Sequence, residues 1–571
     1  MSLRIALTAM ILVAPFAKFT VRHPHKSAAL PKLISVTQIT RDGIGKTSLL
    51  SDNKNLYVTE WPSTGHVVAK FCLSDSRLDS NRSLVTSNFS EFKALDVAPD
   101  KNSLLVTPVH AGAAENELWT LPIDAGTPQK LGSLLGHDAS WSPDGRQLAF
   151  VKGSTLSISG GDGAAARDLY TASGSVFGAR FSPDGRRIRF SVGNTAQNTT
   201  TIWEIGADGS EPHAILGNWK YASAACCGSW SADGSYYIFQ VTQSSPSSIT
   251  TLWALSDHGK GVAPTQLTDG PISFGNAWPS NDNSRIWAVG VKPEGQPVKY
   301  NPSSKSFSAV ISGVSATDLD FSPDGKWIAY VTLPEGTLWR CREDGSNRLQ
   351  LTFAPERAAL PHWSPDSSSI GYVSIEQDKR SKIVIISADG VTKKDLLREN
   401  RSQIDLNWSS DGKRIMFGYL HDTPGLDIRV VDRSTHKVTS IPGSEGLFSP
   451  RWSPNGKYIA ALSPDFTKVM LFDYGTQKWS TWLEEAAGAV SYPVWSADSK
   501  YLYFDDLVTD EESIRRVKVG ESRTERVFKL EGIERYPGPF GLWSARTSDG
   551  SWMFVRDHST QEVYQLDVEL P

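Results

Sequence analysis

One short phrase recurs along this chain and limits what it can become: an aromatic residue, then Ser-Pro-Asp-Gly, then a run of apolar residues. It reads Trp141-Ser142-Pro143-Asp144-Gly145, and again, with small changes, from Phe181, Trp230, Phe321, Trp363, Trp408, Trp452 and Trp495. Weaker copies start at Val97 and Trp278, and degenerate ones lie near Leu50 and Arg546. From Val97 to Trp495 the spacing runs from 40 to 49 residues, about 44 on average. A period of that length is the mark of propeller blades. The phrase itself is a turn. Proline pre-sets φ at the second position, aspartate bonds its own backbone, and glycine accepts positive φ.

The residues after each turn read as strand. Lys326-Trp327-Ile328-Ala329-Tyr330 comes first, then Thr337-Leu338-Trp339-Arg340, and after the Asp344-Gly345 turn Leu349-Gln350-Leu351-Thr352. Four short strands per repeat make a blade. The expected fold is therefore all-β, a tandem of β-propellers built from about 12 four-stranded blades. The 19 tryptophans are accounted for as packing between blades, where large aromatics bury most area.

The ends say how rings close. Val36–Thr40 reads as a fourth strand without its first three, and Glu562–Asp567 as a third strand without its fourth. A blade built from both termini would satisfy the exposed edge. Twelve blades exceed the usual 4–8 of one ring, so two six-bladed rings are expected. The break falls inside the blade that begins at Trp278, with strand 306–310 closing the second ring and 36–40 the first. A seven-plus-five division is the alternative. The expected segments are 1–33 as signal or anchor with its linker, 34–302 as one propeller and 303–571 as the other. Proteolysis near 295–305 should then give two stable halves.

Ile5–Ala17 is an uncharged run between Arg4 and Lys18. At 13 residues it is short of the ~20 that span a bilayer and fits a secretory core. A truncated membrane helix is the alternative. Either reading places the rings in the periplasm, free or membrane-anchored and facing it.

The repeat resembles the TolB-like, WD-type propeller family over about 34–571. The C-terminal half is similar to the extracytoplasmic propeller region of bacterial membrane-anchored winged-helix regulators. Leu333–Arg340, Gly443–Pro454 and Leu471–Trp479 carry that likeness. The winged-helix domain itself has no counterpart in this sequence, so DNA binding is not implied. The resemblance implies a sensing or protein-interaction module, and it supplies no catalytic residues.

Other chemistry is thin. Fifty-eight Lys+Arg stand against 62 Asp+Glu, a net charge of −4, which gives no basic field for nucleic acid. Basic doublets such as Lys393-Lys394 and Arg186-Arg187 are too short to make one. Gly43–Ser48 resembles the tail of a phosphate loop, but Thr40 stands where the pattern needs its first glycine. No Gly-x-Ser-x-Gly occurs, so the nucleophile elbow of a serine hydrolase is absent. His23 and His25 lack a third ligand. The acids Asp505, Asp506, Asp510, Glu511 and Glu512 lack a calcium loop's alternating spacing. The turn aspartates recur too often to form one active site. Cys226 and Cys227 are adjacent, a poor geometry for an ordinary disulfide, and with Cys72 and Cys341 they read as free thiols, one cross-blade pair being the alternative in an exported protein. No catalytic residue, metal site or cofactor is expected.

The expected function is a non-enzymatic module that binds a protein or peptide, since propellers present loops on a rigid scaffold. Glu335, Trp339, Arg340, Glu445 and Arg451 are the candidate binding residues. The alternative is a lyase or hydrolase with its site at a ring centre, where acids and histidines from several blades would converge.

Overall fold

The computed structural model describes residues 30–571 apart from 63–64, 74–81, 111, 125, 195–198, 243–248, 258–262, 377–379, 420–426, 485–489, 507–511, 539 and 548. The run 5–17, His23, His25, Asp510 and Glu511 lie outside the described residues. Among those described, no helix is long and apolar enough to cross a membrane.

The recurrent turns form as their chemistry dictates. Ser142 Oγ donates to Asp144 Oδ1 at 2.6 Å and accepts the Gln147 N–H at 2.9 Å, while Asp144 Oδ1 accepts the Arg146 N–H at 3.0 Å. Gly145 takes φ 72°. The same bonds recur around Ser182, Ser322, Ser364 and Ser409. Where glycine is replaced, Ser367 and Ser499 adopt the left-handed conformation instead, at φ 58° and 59°.

Each turn links the innermost strand of a blade to its second strand. We number the blades in chain order by their innermost strands. Blades 1–6 begin with Gly45–Ser51, Phe92–Val97, Asp138–Trp141, Ser175–Phe181, Ala225–Trp230 and Ser273–Pro279. Blades 7–12 begin with Ala316–Phe321, Arg357–Trp363, Gln403–Trp408, Phe448–Trp452, Val490–Trp495 and Ser544–Arg546. All are four-stranded antiparallel sheets, and one two-stranded hairpin, Pro537–Gly538 with Gly541–Leu542, stands apart. Blade 6 packs against blades 5 and 1, and blade 12 against blades 11 and 7. The result is two closed rings of six, as the repeat count implied.

The inner strands share a second device. Gly178, Cys227, Asn276, Asp318, Leu360, Asp405, Ser449 and Tyr492 occupy one position, three residues before the residue that precedes the turn serine, and all have φ between 46° and 65°. Each sits in a β-bulge where the pairing with the second strand skips. A bulge leaves ladder groups unpaired and turns side chains aside.

The strand exchange between the rings differs from a division at 302/303. Gly295–Asn301, expected in the first ring, pairs with Trp552–Asp557 in blade 12; Thr560–Glu569, which the 303–571 bound put in the second ring, forms with Lys32–Gln38 the expected blade of both termini, blade 6, where it lies between Arg285–Lys292 and Lys32–Gln38. One register runs through both rings, from Arg285↔Asp567 through Lys292↔Thr560 and Gly295↔Asp557 to Tyr300↔Trp552. Between them the His558 N–H donates to Glu294 O at 2.8 Å. A single two-stranded ribbon thus completes blade 6 at one end and blade 12 at the other. Ser306–Ala309 then closes the second ring beside Gly295–Asn301, and Lys32–Gln38 the first.

The cysteine pair also departs from expectation: Cys226 and Cys227 form a disulfide. Neighbouring side chains on a regular strand point to opposite faces, but the bulge places Cys227 at φ 57° and brings both sulfurs to one side. Cys72 and Cys341 are free thiols. Gly45–Ser51 is a strand, not a phosphate loop. The Lys46 ammonium is fully buried and held by Asp42 at 2.5 Å and Glu562 at 3.2 Å.

Candidate functional site

Charged side chains converge on the inner strands of the second ring. At the bulge position stand Asp318, Asp405 and Tyr492; two residues further on stand Asp320, His362 and Arg451. The geometry shows what most of them do. Asp318 Oδ2 accepts the Leu360 N–H of the next blade at 3.2 Å, and Asp320 Oδ2 accepts the Trp363 N–H at 2.6 Å. Asn407 Oδ1 accepts the Trp452 N–H at 2.9 Å in the same way. The first ring repeats the pattern: Asp96 takes the Trp141 N–H at 2.9 Å, and Asp138 takes the Gly178 N–H. In return, the indole N–H groups of Trp363, Trp408 and Trp495 donate to Asp320 O, His362 O and Arg451 O of the preceding blade at 3.0–3.2 Å. The bulge frees N–H groups from the ladder, and a carboxylate of the preceding blade satisfies them. These acids clip blades together.

Burial sets their protonation. It pushes the Asp318 carboxyl up to about 6 and Asp320 to about 7, against the pull of the backbone N–H bonds. It pushes His362 down to about 4, with Arg451 acting in the same direction. His362 Nδ1 lies 3.8 Å from Asp320 Oδ2. Arg451 Nη1 donates to Asp405 Oδ1 at 2.8 Å, so that pair is internally neutralised.

One face of the second ring is built differently from the face of the repeated turns. Here the loops between second and third strands, and those leading into the next blade, surround the mouth. The Pro537–Leu542 hairpin lies over it. Tyr492 donates its hydroxyl to Phe540 O at 3.0 Å, and Phe540 packs with Leu360 and Ile404. Arg535 anchors the hairpin, donating to Asp505 Oδ2 and to Leu542 O, both at 2.8 Å. At the edge stands Arg357, the first residue of blade 8's inner strand. Its guanidinium lies over Gly336, so close that a Cβ there would meet Nε at 3.0 Å. Glu335 and Tyr536 act on it electrostatically, and burial lowers its pKa. It is half-buried and makes no side-chain hydrogen bond or ion pair among the described residues. Phe353, in the loop just before it, is 64% exposed.

The structure scatters the five sequence candidates. Glu335 is exposed beside Arg357 at the mouth, Arg451 is inside the ring, and Glu445 is exposed on the loop leading into blade 10. Trp339 and Arg340 belong to packing. Trp339 donates to Thr337 Oγ1 at 2.9 Å within an apolar cluster. Arg340 donates to Ala388 O of the next blade and lies 4.0 Å over the Trp327 ring. Sequence reasoning missed Arg357, Tyr536 and Phe353, which no motif marks. Asp505 and Asp506, read as part of an acidic loop, are committed to Arg535 and Arg515.

The strands define the class: a tandem β-propeller of four-stranded antiparallel blades. No family model matches the chain. Over 117 residues it is 30% identical to the uncharacterized protein Atu1656 of Agrobacterium fabrum, a stretch that covers 18% of this chain and 39% of that protein. Over 111 residues it is 25% identical to the uncharacterized peptidase YuxL of Bacillus subtilis, covering 18% of this chain and 17% of that protein. The matches thus span well under half of either relative's length. Among solved structures it is similar to a putative TolB from Agrobacterium tumefaciens, with 18% identity over 46% of this chain and 98% of that one, at a TM-score of 0.38. The fold assignment rests on the strands themselves.

Proposed function

We propose that this chain is a non-catalytic binding module, exported or anchored with its rings in the periplasm, and that the mouth of the second ring takes a protein or peptide segment, as the sensor part of a regulator would. The observation that carries this reading is Arg357: a half-buried guanidinium with no hydrogen-bond or ion-pair partner among the described residues, with Tyr536 near enough to act on it electrostatically and Phe353 exposed in the loop four residues before it. A guanidinium is a planar fork suited to a carboxylate, and exposed aromatics at a rim serve as anchors.

The alternative, an enzyme acting at the ring centre, draws support from the raised Asp318 and Asp320 carboxyls beside His362, since perturbed groups cluster at active sites. Against it, both carboxylates already accept N–H groups from the next blade. The test is selection of phage-displayed peptides on the whole chain. Selected peptides should lose about tenfold or more in affinity on Arg357→Ala, the loss of one strong polar contact, and also weaken on Phe353→Ser. Peptides indifferent to both substitutions would refute the site.

A further inference from the structure

The disulfide of blade 5 lies on that blade's innermost strand, and its two sulfurs are not equivalent. Cys227 occupies the bulge position. Its counterparts in neighbouring blades meet around the ring: Asn276 Nδ2 donates to Thr47 O at 3.0 Å, and Asp138 takes the Gly178 N–H. Cys227 is half-buried, and Cys226 is only 8% exposed. Gly178, its counterpart in blade 4, carries no side chain to cover it; a Cβ there would stand 3.7 Å from Cys227 Cα. Cys226 Sγ instead receives a hydrogen bond from Gln240 Nε2 at 3.3 Å. The amide's orientation is fixed from its other side, because Gln240 Oε1 accepts the Asn276 N–H at 3.3 Å. The bulge itself does not depend on the disulfide, since residues without sulfur adopt it in the other blades.

We infer that Cys226–Cys227 is a site of thiol–disulfide exchange for a low-molecular-weight thiol entering the first ring, with Cys227 the sulfur attacked and Cys226 the leaving group. The incoming thiolate bonds to Cys227 Sγ. The Cys226–Cys227 bond breaks, and its electron pair stays on Cys226 Sγ, where the Gln240 amide stabilises the thiolate. Exchange is faster when the departing thiolate is stabilised. From the mixed disulfide two exits exist. Cys226 can attack Cys227 Sγ and expel the thiol, restoring the pair. Alternatively a second thiolate attacks the exogenous sulfur, the small-molecule disulfide departs, and Cys227 is left as a thiolate that takes a proton from water. That second route oxidises two thiols and reduces the protein by two electrons.

The experiment uses the whole chain, purified without reductant and exposed briefly to glutathione, then quenched with an alkylating reagent and mapped by peptide mass spectrometry. The expected map carries glutathione on Cys227 and the alkyl group on Cys226. Gln240→Leu, which also releases the Asn276 N–H, should slow adduct formation several-fold at a temperature where circular dichroism shows the variant fully folded. Cys226→Ser should leave a Cys227 thiol that alkylates readily in the folded protein. Two free thiols before any exposure, glutathione mainly on Cys226, or a Cys227 that resists alkylation in Cys226→Ser would each overturn the assignment. The wild-type map decides the case even if a variant does not fold.

Discussion

Removing residues 560–571 should damage the first ring, although those residues end the chain beyond the last repeat of the second. Thr560–Glu569 is the third strand of blade 6 and, among the described residues, joins Arg285–Lys292 to Lys32–Gln38. Val563, Tyr564, Leu566 and Val568 are each at most 5% exposed. At about 1.5–3 kcal/mol for each such side chain, the loss comes to about 6–12 kcal/mol. Glu562 adds to it. It accepts hydrogen bonds from Thr40 Oγ1 at 2.5 Å and the Gly43 N–H at 2.9 Å, and it pairs with the buried Lys46 ammonium. Lys46 keeps Asp42, so this loss falls below the ~3–5 kcal/mol of a buried charge left with no partner. The total rivals the whole stability of a typical domain, about 5–15 kcal/mol. Hydrogen exchange read by mass spectrometry should therefore show protection lost in blades 1, 5 and 6, with blades 7–11 kept. Glu562→Gln should give a milder form of the same pattern. Loss confined to the second ring, with blade 6 still protected, would refute the shared ribbon.

Three further outcomes are expected. Cleavage in the exposed turn between Asn301 and Ser306 should leave fragments that co-elute on gel filtration and part only in denaturant, because Gly295–Asn301 stays paired with Trp552–Asp557; fragments that separate freely would contradict the ribbon and restore two independent halves. Asp257→Ala should lower the urea midpoint by an amount worth about 3 kcal/mol, followed by tryptophan fluorescence, since Arg189 is 5% exposed and would lose one of its two partners, Asp257 at 2.6 Å, keeping Glu204 at 2.7 Å. His362 titrates near 4 in the folded chain against 6.5 when unfolded. Its contribution is thus fully present above pH 6.5 and is lost as pH falls toward 4, because the unfolded chain then binds the extra proton. His362→Gln should lack that loss, so its melting temperature should gain on the wild type between pH 6.5 and 4.5; an unchanged difference would place a charged imidazole in the folded ring.

The repeat made the blades legible because each turn carries its own instructions. Serine, aspartate and glycine make the same local bonds wherever they occur, with no help from distant residues. The orphan strands at the two ends were legible for the same reason, since each blade's strand order is fixed. The exchange between rings was not, because Gly295–Asn301 has the length and alternation of a third strand whichever blade receives it. Nor does Pro293-Glu294-Gly295 tell the two apart, since Pro334-Glu335-Gly336 makes a tight hairpin within blade 7. The site divides along the same line. Arg451 stood next to a recognised tryptophan and could be flagged, whereas Arg357 matters for what it fails to touch, and a sequence does not record missing partners. The acids at Asp318 and Asp320 were readable in principle. They precede Phe321 by three residues and by one, as Asp138 precedes Trp141 by three and Asn407 precedes Trp408 by one. That spacing, joined to the left-handed residue of the bulge, explains both the carboxylates and the cysteine pair: the bulge frees N–H groups that a preceding carboxylate must answer, and in blade 5 it turns two adjacent sulfurs toward each other.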